Sequence, residues 1–155
     1  MDTGSSYLPG EIITAFLFAQ MEEAQAITAR RLELWRRYHA ALEPLERAGL
    51  VRRPVVPDGC VHNGHMYYLL LPDLEARTRF IERLRERDIQ AVIHYVPLHS
   101  PPMGKHVGRR GSELVHTDAP GERLVRLPLW VGQEDEQDRV IDTVVSAIES
   151  APGSS

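Results

Sequence analysis

The sequence predicts an open α/β sandwich in which helices cover a small, mainly antiparallel sheet. Three observations predict it. Apolar residues recur at three-to-four spacing through the first third of the chain and again near its end. Short β-rich runs bounded by Pro, Gly and Asp lie between them. The length of 155 residues, 43% of them hydrophobic, suffices for one domain with a real core and is too little for two.

Leu8 to Gly49 reads as helix, with Pro9 near its first turn and Ile12, Ile13, Phe16, Ala19, Met21 and Ala24 at helical spacing. The pattern continues through Ile27, Leu32, Leu34, Trp35, Tyr38, Leu42 and Leu45, and Gly49 stops it. So long a stretch is two helices or one bent helix, breaking between Glu22 and Ile27. Strands are expected at Val51 to Val56 and His65 to Leu71, parted by the turn Pro57-Asp58-Gly59. Leu74 to Arg87 is helical again, with Phe80, Ile81 and Leu84 inward and a fringe of Arg and Glu in water. Ile89 to Tyr95 reads as a third strand, and Val96 to Pro120 as a long loop rich in Pro, Gly and His. Leu124 to Leu129 is a short strand, and Glu134 to Ile148 an amphipathic helix with Val140, Ile141, Val144, Val145 and Ile148 on one face. Residues 1–150 thus form the domain, and Ala151 to Ser155 is expected to be a disordered tail. The first helical pair carries more apolar surface than three short strands can cover, which points to a missing partner.

Composition removes several function classes. A formal charge of −4 gives no field that would draw the chain to nucleic acid. Cys60 is the only cysteine, which excludes an internal disulfide framework and a multi-thiolate metal site. Met1 to Ser6 has neither the basic nor the apolar region of a secretory signal, and no apolar run is long enough to span a membrane, so a cytoplasmic protein is expected. Lys105 is the only lysine, and its setting, Pro101-Pro102-Met103-Gly104-Lys105-His106, reads as a solvated loop. Lysine-dependent chemistry would have to use it.

The seven histidines invite a metal site, but spacing argues against one. In a strand from His62 to Leu71, His62 and His65 are an odd number of residues apart and face opposite ways, and His65 reads as a core histidine with a backbone partner. His94 and His99 have no carboxylate cluster nearby to complete a shell. No glycine-flanked serine elbow and no Gly-rich phosphate loop is present. What remains is the end of the third strand, where His94, Tyr95 and His99 gather around a chain reversal stiffened by Pro97. On residue chemistry alone this is either a polar ligand site or a structural strand end.

Five segments carry a resemblance. Gly4-Ser5-Ser6-Tyr7-Leu8-Pro9-Gly10-Glu11, Ala15-Phe16-Leu17-Phe18-Ala19-Gln20-Met21-Glu22, His62-Asn63-Gly64-His65-Met66-Tyr67-Tyr68, His94-Tyr95-Val96-Pro97-Leu98-His99 and Arg123-Leu124-Val125-Arg126-Leu127-Pro128-Leu129 follow one another as in the DegT, DnrJ, EryC and StrS sugar aminotransferases. From Asp2 to Glu149 the chain resembles the C-terminal part of that family, most nearly its dTDP-4-amino-4,6-dideoxygalactose transaminases of antigen biosynthesis.

The resemblance implies the small C-terminal domain of a fold-type I enzyme. A larger N-terminal domain, absent from this chain, would hold pyridoxal phosphate on a lysine, and two subunits of a homodimer would share each active site. The reaction implied moves an amino group from glutamate to a dTDP-linked 4-keto-6-deoxyhexose. No catalytic residue and no cofactor is then expected in the isolated chain, which is expected to be inactive. Ser6 matches the small polar residue that contacts the cofactor phosphate of the neighbouring subunit, and His94, Tyr95 and His99 match the motif beside the nucleotide-sugar. The chain departs from close relatives at Leu114-Val115 and Ala119-Pro120-Gly121, which bears on sugar specificity. The alternative is an α/β binding or interaction module that kept the fold without the chemistry.

Overall fold

The computed structural model describes residues 8–109 and 111–150. Helices α1 (Glu11–Glu22), α2 (Ala24–Ala41) and α3 (Glu43–Arg47) come first. They are followed by β1 (Tyr67–Leu70), α4 (Leu74–Arg85) and β2 (Val92–Ile93), and then by α5 (Pro102–Val107), α6 (Val115–Arg123), β3 (Leu124–Leu127) and α7 (Gln137–Glu149). The three strands form an antiparallel sheet in the order β1-β3-β2, with helices packed on it as expected.

Alternation along the strands decides the core. Tyr67 and Leu69 of β1 lie opposite Leu127 and Val125 of β3, and all four are buried on one face. Against that face pack Tyr38 and Leu42 of the α2 region, Phe80 and Leu84 of α4, and Val140, Val144 and Ile148 of α7. The α2–α7 junction also holds buried polar groups. The Tyr38 hydroxyl donates to the Pro128 carbonyl at 2.9 Å and accepts from Gln133 Nε2 at 2.8 Å, while Gln137 Nε2 donates to the Leu34 carbonyl at 2.7 Å. Asp73 caps α4 by accepting from the Ala76 amide at 2.7 Å.

The first helical stretch breaks at Glu23, and the stop comes one turn past α3, where Gly49 takes a φ of +73°. Other expectations need correction. The strand at 51–56 shrinks to a single bridge, Arg52 to Leu70, because Pro54 has no N–H to continue a ladder. The strand at 89–95 pairs only at Val92 and Ile93, on the sheet edge. The stretch from Val96 to Pro120 is not one loop: it contains α5, started by Pro102, and α6 up to and including Pro120. The C-terminal helix starts at Gln137, three residues later than its pattern suggests. Ser6 and the tail 151–155 lie outside the described residues.

Helix α1 buries none of its residues. Ile12, Phe16 and Phe18 are 87%, 69% and 64% exposed, and Ile13, Leu17 and Met21 are exposed beside them. These positions run most of the way around the helix, a pattern found where a helix is enclosed on several sides. Among the described residues, no helix is long and apolar enough to cross a membrane.

Candidate functional site

Beyond β2 the chain runs into an open cleft of about 960 Å³ lined by Tyr95, His99, Lys105, Arg109, Asp118 and Arg77, among others. Two glycines determine how its walls meet. A Cβ on Gly104 of α5 would lie 1.8 Å from the Leu98 carbonyl oxygen, closer than any side chain allows. A Cβ on Gly121 of α6 would lie 3.2 Å from Pro97 Cγ. The turn Pro97–Ser100, closed by the Ser100 amide donating to the Pro97 carbonyl at 2.9 Å, is therefore clasped between the two helices.

Within that clasp His99 Nε2 lies 2.7 Å from Asp118 Oδ1, and the His99 side chain is 18% exposed. The contact sets a proton on Nε2 and leaves Nδ1 as the ring's second polar atom. His94 stacks edge-on against Tyr95 with ring centres 4.5 Å apart, while Tyr95 stays 73% exposed. Arg77 reaches across from α4 and donates to the Gly121 carbonyl at 2.8 Å, tying α6 to the domain. The cleft thus offers a phenol, an imidazole, cationic side chains and carboxylates to a polar ligand, beside the apolar surface of Leu98 and Pro97.

Of the residues singled out from the sequence, Tyr95 and His99 line this cleft together; His94 does not line it but packs edge-on against Tyr95. Lys105 is not in a loop but on α5, exposed, and on the cleft wall. Sequence reasoning missed Asp118, 19 residues from its partner His99, for which no local spacing gives a signal. It also missed Gly104 and Arg109. The run Ala119-Pro120-Gly121 forms part of the wall through Gly121.

The other histidines act locally. His65 is exposed, with its backbone N–H and its ring both on Asn63 Oδ1, so the core role expected for it is incorrect. The face-parity argument for His62 and His65 does not apply either, because β1 begins at Tyr67. His62 instead packs edge-on against Trp35 at 4.5 Å. Trp35 also stacks on His39, whose pKa burial pushes down, with the nearby Arg53 guanidinium acting the same way. Cys60 is exposed beside Gly59.

Over 141 residues the chain is 30% identical to a dTDP-3-amino-3,4,6-trideoxy-alpha-D-glucose transaminase of Micromonospora megalomicea, covering 89% of this chain and 37% of that protein. PseC of Helicobacter pylori, an aminotransferase in pseudaminic acid biosynthesis, superimposes with a TM-score of 0.81 over 97% of this chain and 40% of its own, at 18% identity, a likeness of fold. NtdA of Bacillus subtilis, solved with bound PMP, gives a TM-score of 0.69 at 25% identity over 81% of this chain and 29% of its own. The chain spans about 37% of the length of the curated relatives it matches. Residues 3–145 match the DegT/DnrJ/EryC1/StrS aminotransferase family, and the chain belongs to that family.

Proposed function

We propose that this chain is the C-terminal, nucleotide-sugar-facing part of a cytoplasmic sugar aminotransferase. The enzyme takes an amino group from glutamate and places it on a dTDP-linked 4-keto-6-deoxyhexose, working as a homodimer. The product class closest to hand is a dTDP-4-amino-4,6-dideoxygalactose. The observation that carries this reading is the cleft at the end of β2, where Tyr95 and the His99–Asp118 pair meet. The family match favours it over an interaction module without chemistry.

The described residues do not make up a pyridoxal phosphate site. Lys105, the one amine-bearing side chain, is exposed on a six-residue helix, whereas a lysine that holds this cofactor needs a closed, preorganised pocket. The cofactor supplies the electron sink of the reaction when bound to the complementary domain. The part of this chain is to bind and orient. The His99 imidazole, fixed by Asp118, and the Tyr95 phenol, braced by His94, hold the polar groups of the sugar-nucleotide. Ser6 reaches the cofactor phosphate of the neighbouring subunit, and α1 packs into the complementary domain.

The test is to fuse the chain to the lysine-bearing N-terminal portion of a family member and assay amino transfer from glutamate to dTDP-4-keto-6-deoxyglucose. Turnover by the fusion and none by the chain alone is expected. A soluble fusion that loads cofactor and accepts glutamate but no dTDP-sugar would refute the substrate assignment.

A further inference from the structure

We propose that Lys105 and Arg109 form the anion-binding edge of the cleft and take the diphosphate of the nucleotide-sugar, a proposal that rests on the reading of the cleft just given. The backbone sets where residue 105 lies. Because Gly104 closes to contact with the Leu98 carbonyl, the residue after it is fixed next to the turn that carries His99. Gly108 caps α5 by donating its amide to the Gly104 carbonyl at 2.9 Å, and Arg109 just beyond it lines the same cleft.

The charges of the cleft also fit a dianionic group. Its cations are Arg77, Lys105 and Arg109, and its carboxylates are Asp118 and Glu122. Asp118 is engaged by His99, and Arg77 has one arm on the Gly121 carbonyl. Lys105 and Arg109 make no ion pair among the described residues, unlike Arg30, Arg37, Arg53 and Arg139, which each have a carboxylate. Glu122 is likewise without an ion pair among the described residues, so three cations face two carboxylates, and this cationic excess on the wall of a cleft of about 960 Å³ suits a phosphate-bearing ligand of nucleotide size. The only lysine in a chain otherwise basic through arginine thus has a binding role, where its sequence setting suggested an ordinary solvated side chain.

The experiment is an NMR titration of the 155-residue chain with dTDP, with inorganic pyrophosphate and with thymidine, at low and raised salt. It compares the natural chain with Lys105→Met, Arg109→Met and Lys105→Arg, after melting curves confirm an unchanged fold. The expected result is shifts around His99 and Lys105 with both phosphate ligands. Each methionine variant should bind dTDP roughly fivefold more weakly, with a shallower salt dependence, and Lys105→Arg should retain binding. Equal dTDP affinity in all variants would overturn the proposal and leave the nucleotide-sugar reading standing. Pyrophosphate binding that needs both cations, with dTDP binding no tighter than pyrophosphate, would uphold the anion edge and refute the nucleotide-sugar reading. No shift at Lys105 with either phosphate ligand would overturn the proposal.

Discussion

Replacing Tyr38 with Phe removes one oxygen from the centre of the domain and tests whether α2 and the segment from Pro128 to Gln133 ahead of α7 dock as described. The Tyr38 hydroxyl donates to the Pro128 carbonyl at 2.9 Å and accepts from Gln133 Nε2 at 2.8 Å, and both Tyr38 and Gln133 are 0% exposed. Gln133 Oε1 has no partner among the described residues, so losing the hydroxyl strands the amide nitrogen too, together with the Pro128 carbonyl. Two buried groups left unpaired cost about 1–3 kcal/mol each, reduced by the better fit of an apolar ring, for a net loss of about 2–4 kcal/mol. In a domain of this size that lowers Tm by about 5–15 °C. Tyr67→Phe is the internal control. Tyr67 is also 0% exposed, but its hydroxyl has only a 3.5 Å contact with His39 Nδ1, so its loss should cost less than about 1 kcal/mol. Urea unfolding of the two variants compares them directly. Equal losses, or a larger loss for Tyr67→Phe, would refute the hydrogen-bond network.

Further outcomes follow from other parts of the molecule. The Arg53 backbone N–H, donating to Glu46 Oε1 at 2.7 Å, holds the Glu46 carboxyl below its ordinary value of 4.5. Its contribution to stability is therefore present above that value and is lost as pH falls through the depressed one; Glu46→Gln should flatten the acid limb of the unfolding profile, and an unchanged limb would refute the contact. Burial pushes the Tyr38 phenol above its ordinary value of 10.0, so the natural chain should lose stability as pH rises past that value, where only the unfolded state ionises; Tyr38→Phe should lose less there. Phe16 and Ile12 on α1 should drive self-association of the isolated chain, each covered side chain contributing at most about 1.5–3 kcal/mol, and Phe16→Glu should shift sedimentation toward monomer; a clean monomer of the natural chain at high concentration would contradict this. Gly104→Ala should displace α5 from the His99 turn, at a cost of about 1–3 kcal/mol, and move the His99 resonances; an unperturbed His99 would contradict the close approach.

What the sequence disclosed follows the range of its signals. Helices α2, α4 and α7 were legible because Trp35 and Tyr38, Phe80 and Leu84, and Val140, Val144 and Ile148 keep an inward face by periodicity alone. The strand expected at His65 to Leu71 contains β1, in which Tyr67 and Leu69 alternate onto the buried face. Helices α5 and α6 were not legible, since six and nine residues interrupted by Pro and Gly, with no buried residue, carry no period. His65 was misplaced because its strand starts two residues later, and parity has no meaning outside a ladder. Within the site, Tyr95 and His99 stood out as polar groups at a reversal. Asp118 and Arg109 did not, because only the folding of α6 and the closure of α5 onto Leu98 bring them to the cleft.

The most direct test of the functional account separates the two halves of the reaction in an enzyme rebuilt around this domain. On the proposed function, His99→Ala and Tyr95→Phe would each remove one or two polar contacts to the sugar-nucleotide, worth about 1–3 kcal/mol apiece, while leaving the amino donor's contacts alone. Stopped-flow rates on variants with unchanged Tm should show catalytic efficiency toward the keto sugar falling by roughly ten- to a hundredfold, with the glutamate half-reaction nearly unaffected. Equal losses in both half-reactions, or none in either, would contradict the assignment of this cleft to the nucleotide-sugar.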